Sequence, residues 1–103
     1  MNYKVIYSPR VRADIREHVR RLIEDEHVSP VTVERWYKPL FEAINNLYDM
    51  PRLYPVDEPY SRRRGVEVRK LTYKKYIVRY RVDDDTRTVN VISFFHGSRR
   101  REA

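Results

Sequence analysis

From Val11 to Met50 the apolar residues of this chain recur every three to four positions, and from Val66 onward they recur every two. A helical period does not fit a pleated strand, nor the reverse, so a helical region must precede the main run of strands. The first helix is signalled by Ser8-Pro9, a capping hydroxyl followed by a proline at the first helical position, where its missing N–H costs nothing. Val11, Ile15, Val19, Leu22 and Ile23 then mark one buried stripe, with charged residues and His18 on the other faces. On this reading His18 is exposed. Glu17 with Arg21, and Arg20 with Glu24, are spaced for surface pairs of about 0.3 kcal/mol each.

Ser29-Pro30 repeats the signal and opens a second helix, apolar at Val33, Trp36, Tyr37, Leu40, Ile44 and Leu47 and ending near Met50-Pro51. The short link between the two helices makes them an antiparallel hairpin. Pro39 interrupts the pattern by removing the bond to the Arg35 carbonyl, which predicts a kink between Arg35 and Pro39. Residues 51–65 hold Pro51, Pro55, Pro59 and Gly65 and read as a loop without regular structure, delivering Arg62-Arg63-Arg64 to the next strand.

In the period-two region Val66 and Val68 alternate with Glu67 and Arg69, and Tyr76, Val78, Tyr80 and Val82 alternate with Ile77, Arg79 and Arg81. Thr88 to Phe95 forms a third run after the Asp83-Asp84-Asp85 turn, and residues 3–7 supply a fourth strand. The predicted architecture is α+β with element order β-α-α-β-β-β, a single domain over 1–103. A helical hairpin packs on a mostly antiparallel four-stranded sheet and leaves the opposite sheet face to solvent or a ligand. A chain of 103 residues can bury one modest core.

Charge is divided as sharply as periodicity. Residues 1–60 carry nine Lys/Arg against ten Asp/Glu and residues 61–103 thirteen against five, so the net +7 comes wholly from the strand region. Strand alternation gathers such residues on one surface, which should attract a polyanion. Arg79 and Arg81 share a strand face, and with Arg69 on the neighbouring strand they are expected to line a basic concavity. The absence of cysteine excludes disulfides and thiolate metal sites, and no metal or cofactor is expected. With two glycines there is no phosphate-cradling loop. No apolar run approaches the ~20 residues of a membrane span and no signal peptide is visible, so a cytoplasmic protein with no membrane partner is expected.

The strand before a two-helix hairpin, the segments Glu34-Arg35-Trp36 and Leu40-Phe41-Glu42-Ala43-Ile44, the basic strand Val68-Arg69-Lys70-Leu71, the strand Tyr76 to Val82 and the closing Phe95-His96-Gly97-Ser98-Arg99 together resemble the RelE/ParE toxin superfamily of bacterial toxin–antitoxin modules. The resemblance spans nearly the whole chain and rests on order, length and charge rather than on one motif. It implies a toxin that inhibits growth, with ribosome-dependent mRNA cleavage as the leading expectation and ParE-like inhibition of DNA gyrase, without a catalytic centre, as the alternative. A nonenzymatic nucleic-acid-binding module stands third. Metal-independent RNA cleavage needs a base for the 2′-hydroxyl, cations for the phosphorane and an acid for the leaving oxygen.

On that resemblance Arg69 matches the strand arginine of RelE-like enzymes, His96 the histidine near the end of their last strand, and Arg99 their C-terminal phosphate-binding arginine. Arg62, Arg63, Arg64, Lys74, Arg79 and Arg81 are the expected substrate contacts. The same residues have plainer readings: His96 as a histidine satisfied at a strand end, and Arg69 as the partner of Glu67. The residues after Phe95 offer no helix with a terminal tyrosine, which several RelE-like enzymes use. The resemblance also implies a cognate antitoxin, acidic in its toxin-binding segment and lying along the helical hairpin, with Trp36, Tyr37 and Phe41 as its anchors.

Overall fold

The computed structural model describes residues 2–97, and the statements below concern them. The elements are β1 (Lys4–Tyr7), α1 (Pro9–Arg20), α2 (Pro30–Asn45), α3 (Glu58–Arg64), β2 (Arg69–Tyr73), β3 (Tyr76–Asp83) and β4 (Thr88–His96). A π-helical turn, Arg21–Asp25, extends α1, and a 3-10 turn, Asn46–Tyr48, extends α2. Both predicted caps form: the Ser8 hydroxyl accepts from the Val11 amide at 3.1 Å and the Ser29 hydroxyl from the Thr32 amide at 3.2 Å. Along α1, Arg20 gathers Glu17, Glu24 and Asp25, so Glu17 pairs with Arg20 rather than with Arg21.

The second helix continues through Pro39 as one element. Val33, Tyr37, Leu40 and Ile44 lie on both sides of the proline and are all buried, so packing supports the helix across the missing backbone bond.

Residues 58–64 correct the expectation of an irregular loop. Asp57 caps α3 by accepting from the Tyr60 amide at 3.2 Å, Pro59 sits in the first turn, and Gly65, at φ 75, donates to the Ser61 carbonyl and closes the last. The proline and glycine that read as breakers are the start and stop of a short helix. This helix also delays the next strand. Its Ser61 hydroxyl accepts from the Val68 amide at 2.8 Å while the Asp57 amide donates to the Val68 carbonyl at 2.8 Å, so ladder pairing begins at Arg69 rather than Val66.

The four strands are ordered β1-β4-β3-β2, with β1 parallel to β4 and the other pairs antiparallel, as the predicted α+β architecture requires. One register step interrupts the β3–β4 ladder: Arg79 opposes Ser93 but Tyr80 opposes Val91, so Ile92 is an extra residue on β4. Its effect is to turn Phe94 to the same side as Val89 and Val91, and all three are buried against the helices. Leu71, Val78 and Tyr80 complete that sheet face, and Val11, Leu22, Val33, Leu40, Ile44 and Leu47 cover it. On the other face α3 packs locally, with the Tyr60 ring 4.3 Å from the Arg79 guanidinium carbon.

Candidate functional site

Cross-strand partners point to the same side of a sheet, and this separates the arginines grouped by sequence. Arg69 opposes Tyr80, a core residue, whereas Lys70 opposes Arg79, so Arg69 faces the helical side and Arg79 the other. The expected concavity of Arg69, Arg79 and Arg81 is therefore not formed. The guanidinium of Arg69 donates to the Tyr54 carbonyl at 2.8 Å and the Arg52 carbonyl at 3.4 Å, and lies 3.5 Å from the Glu67 carboxylate. It ties the segment after α2 to the sheet edge, where Val56 bridges to Arg69.

On the opposite face Arg79 is buried and donates through Nε to Asp57 at 2.9 Å, with Lys70 4.0 Å from the same carboxylate oxygen. Burial pushes the Asp57 carboxyl up, but the hydrogen bonds from Arg79 and the Tyr60 amide and the charges of Arg79 and Lys70 more than reverse this, leaving it below the ordinary carboxylate value. Arg62, Arg63 and Arg64 form the exposed last turn of α3, with the guanidinium carbons of Arg63 and Arg64 5.4 and 5.8 Å from the Tyr60 ring centroid. The outer surface is thus cationic at its rim, through these arginines and Lys70, while its central arginine is bound to a buried carboxylate.

A second group of polar side chains forms at the far end of the sheet. His96 ends β4 opposite Tyr76, and its ring stacks on His18 of α1, with centroids 5.4 Å apart and planes 21° apart. The Nδ1 atom of His18 is hydrogen-bonded to the Tyr37 hydroxyl at 2.5 Å, and the rings of Tyr76 and Phe94 meet it edge-on. Burial, then the neighbouring His96 and Arg21, push His18 down to about 4; burial and Lys75 lower His96, opposed by Glu26. Both imidazoles are neutral near pH 7, each offering one donor and one acceptor. Burial raises the Tyr37 and Tyr76 hydroxyls, so neither yields a proton near neutrality.

The expectation of an exposed, silent His18 is corrected by this cluster. Val11, Ile15, His18 and Leu22 are spaced by four, three and four, which places His18 on the buried stripe, so the signal was present in the sequence. Asp57 and Tyr60 were missed as well, because their partner Arg79 comes from a strand far along the chain.

His96 borders two depressions. One, of about 400 Å³, is lined by Arg10, Asp14, Glu17, His18, Arg21 and Phe94 among others; the second, of about 290 Å³, is lined by Trp36, Lys74, Lys75, Tyr76 and His96. Trp36 is 44% exposed, while Tyr37, three percent exposed, belongs to the core. Phe41 lies instead in a groove of about 580 Å³ between α1 and α2, with Val19, Ile23, Val33 and the edge of Tyr37. The three aromatic residues named as anchors therefore do not share one surface. Arg99 lies outside the described residues. Among the described residues there is no group of three or more His, Asp or Glu able to hold a metal ion, and no helix is long and apolar enough to cross a membrane.

Two of the expected catalytic residues are far apart. Arg69 lies four residues along β2 from Tyr73, which pairs with Tyr76 and through it with His96. At 3.3 Å per residue and 4.8 Å per strand, the Cα atoms of Arg69 and His96 are roughly 16 Å apart. Among curated proteins none matches the chain. The family model described as the ParE toxin of the type II toxin–antitoxin system parDE matches residues 5–101, nearly the whole fold just described, and the chain belongs to that toxin family.

Proposed function

We propose that this toxin acts by binding and inhibiting DNA gyrase, and that it does not cut RNA. The observation that carries this reading is the separation of Arg69 from His96. Transition-state stabilisation requires donors about 2.7–3.1 Å from the developing oxyanion. The Arg69 guanidinium is engaged by the Tyr54 and Arg52 carbonyls and the Glu67 carboxylate, and its Cα is roughly 16 Å from that of His96 by strand spacing, so it would have to leave those partners to reach a phosphate beside His96. Arg79, neutralised by Asp57, is poorly placed to replace it. The ParE family match agrees with a target-binding toxin.

A second reading, ribosome-dependent mRNA cleavage, draws on the neutral His96 beside Lys74 and Lys75, a proton acceptor next to two cations. The two separate in one pair of assays. Purified toxin should inhibit supercoiling by gyrase and leave ribosome-bound transcripts intact. Cut transcripts with normal supercoiling would overturn the binding mechanism, and then Arg69→Ala should be tested for a loss of about 10²–10³ in single-turnover cleavage.

As a type II toxin the chain has an antitoxin partner. The groove between α1 and α2 is the favoured seat for an apolar antitoxin segment, since Val19, Ile23 and Phe41 line it and Glu34, Lys38 and Glu42 border it. An acidic segment would be drawn to a chain of net charge +7, while apolar burial would set its slow release. A complex seated there should survive ~1 M salt, where the Debye length is about 3 Å, and Phe41→Asp should weaken it. Quantitative dissociation by salt would refute apolar seating.

A further inference from the structure

The cleft at the turn between β2 and β3 combines features that neither the toxin's fold nor its core requires. Trp36 is 44% exposed on α2, whereas Tyr37, Leu40 and Ile44 of the same helix are buried. Beside it are Lys74 and Lys75, consecutive on the turn, with Tyr76 and His96 completing the lining. The turn is well defined. Lys74 adopts φ 54, a left-handed conformation uncommon for a lysine, and the Gly97 amide donates to the Lys75 carbonyl. A side chain at position 97 would place its Cβ 3.0 Å from that carbonyl oxygen, so glycine allows the chain after β4 to close against the turn. The Lys74 ammonium lies 5.6 Å from the Tyr73 ring centroid, on the neighbouring strand position.

An exposed indole suits a flat π-system and two adjacent ammonium groups suit a compact anion, with the rings of Tyr76 and His96 completing the wall of the cleft. The cleft volume, about 290 Å³, is at the small end of ligand pockets and suits a single planar base with its sugar and phosphate. We infer that this cleft is a nucleotide subsite, in which a nucleobase stacks on Trp36 and its phosphate is held by Lys74 and Lys75. The nucleotide can come from solution as a free nucleoside phosphate or from an exposed single strand; the chemistry of recognition is the same.

Trp36 is the sole tryptophan of the chain, so its fluorescence reports on this cleft alone. The purified full-length chain is titrated with AMP, with single-stranded oligo(dA), with inorganic phosphate and with a poly-glutamate peptide. Saturable quenching by AMP supports a free nucleotide, and quenching by oligo(dA) alone supports a strand as its source. Quenching by neither, or equal quenching by phosphate or poly-glutamate, overturns the proposal. The double substitution Lys74→Ala with Lys75→Ala, both at an exposed turn, should raise Kd at least tenfold; unchanged affinity also overturns it. A labelled-nucleotide anisotropy measurement on Trp36→Ala, with circular dichroism to verify folding, should show a loss of roughly tenfold to a hundredfold, the worth of one aromatic base stack. Unaltered anisotropy in a folded Trp36→Ala protein would rule out stacking.

Discussion

Asp57→Asn is the substitution whose outcome the structure constrains most closely. The Asp57 and Arg79 side chains are 7% and 6% exposed and meet at 2.9 Å, so removing the negative charge takes from a buried guanidinium the carboxylate it bonds there. Breaking a buried pair in this way typically costs about 3–5 kcal/mol. Asparagine still caps α3, since its carbonyl oxygen can accept from the Tyr60 amide, so the loss reads the ion pair alone and the lower end, about 3 kcal/mol, is expected. At about 5 °C per kcal/mol for a domain of this size, Tm should fall by about 15 °C. Asp57→Ala removes the cap as well and should cost about 1 kcal/mol more. Lys70, 41% exposed and 4.0 Å away, is itself a cation and cannot replace the lost negative charge, and its own solvated contact with Asp57 adds little to the loss. The combination Asp57→Asn with Arg79→Met removes both charges and should recover much of the loss, because the desolvation cost disappears with them. The sign with pH is fixed by the lowered carboxyl: the wild type should hold this stability above the usual carboxylate range near pH 4 and lose it as pH falls through the lower folded-state value. Thermal melts from pH 7 to pH 2 on the four proteins test this. An Asp57→Asn protein within about 1 kcal/mol of wild type, or one with an unchanged acid limb, would refute the assignment of Asp57 and Arg79 as the pin of α3.

His18 should titrate near 4 by NMR, and because its folded value lies below the unfolded 6.5, its contribution to stability should be intact above pH 6.5 and decline towards pH 4. A titration midpoint near 6.5 would mean the ring is solvated. Arg69→Ala leaves the Tyr54 and Arg52 carbonyls without their donor and should cost about 1–3 kcal/mol in chemical denaturation. An unaltered denaturation midpoint would show that those bonds carry no net stability. Leu40→Ala, at a fully buried position under the sheet, should destabilise by about 2–5 kcal/mol, and a smaller loss would indicate that the core collapses around the gap.

Element class and order followed from local rules. Ser8-Pro9 and Ser29-Pro30 needed only their own hydroxyls and the amides three residues on to start helices, and period two needed only neighbouring residues to mark strands. The division of charge between the two halves was equally legible. Family-level resemblance came from the same order of elements, which the match over residues 5–101 bears out. The short helix Glu58–Arg64 was legible too, in its Asp57 cap and Gly65 stop, but the three prolines between residues 51 and 65 pointed to a loop.

Where each side chain points was decided only by tertiary structure. A period of two divides a strand into two faces without saying which residues of the next strand share them, so Arg69 and Arg79 could be told apart only by the pairing of Arg69 with Tyr80 and Lys70 with Arg79. One extra residue at Ile92 reverses the alternation of β4, an offset invisible in the sequence because either parity leaves a plausible apolar set. The stacking of His18 on His96 and the pairing of Asp57 with Arg79 likewise join positions 78 and 22 residues apart. Such contacts depend on how the helices and the sheet close on one another. Local sequence therefore set the elements and the overall charge, while long-range packing decided which charges are exposed, which are neutralised and which two imidazoles meet.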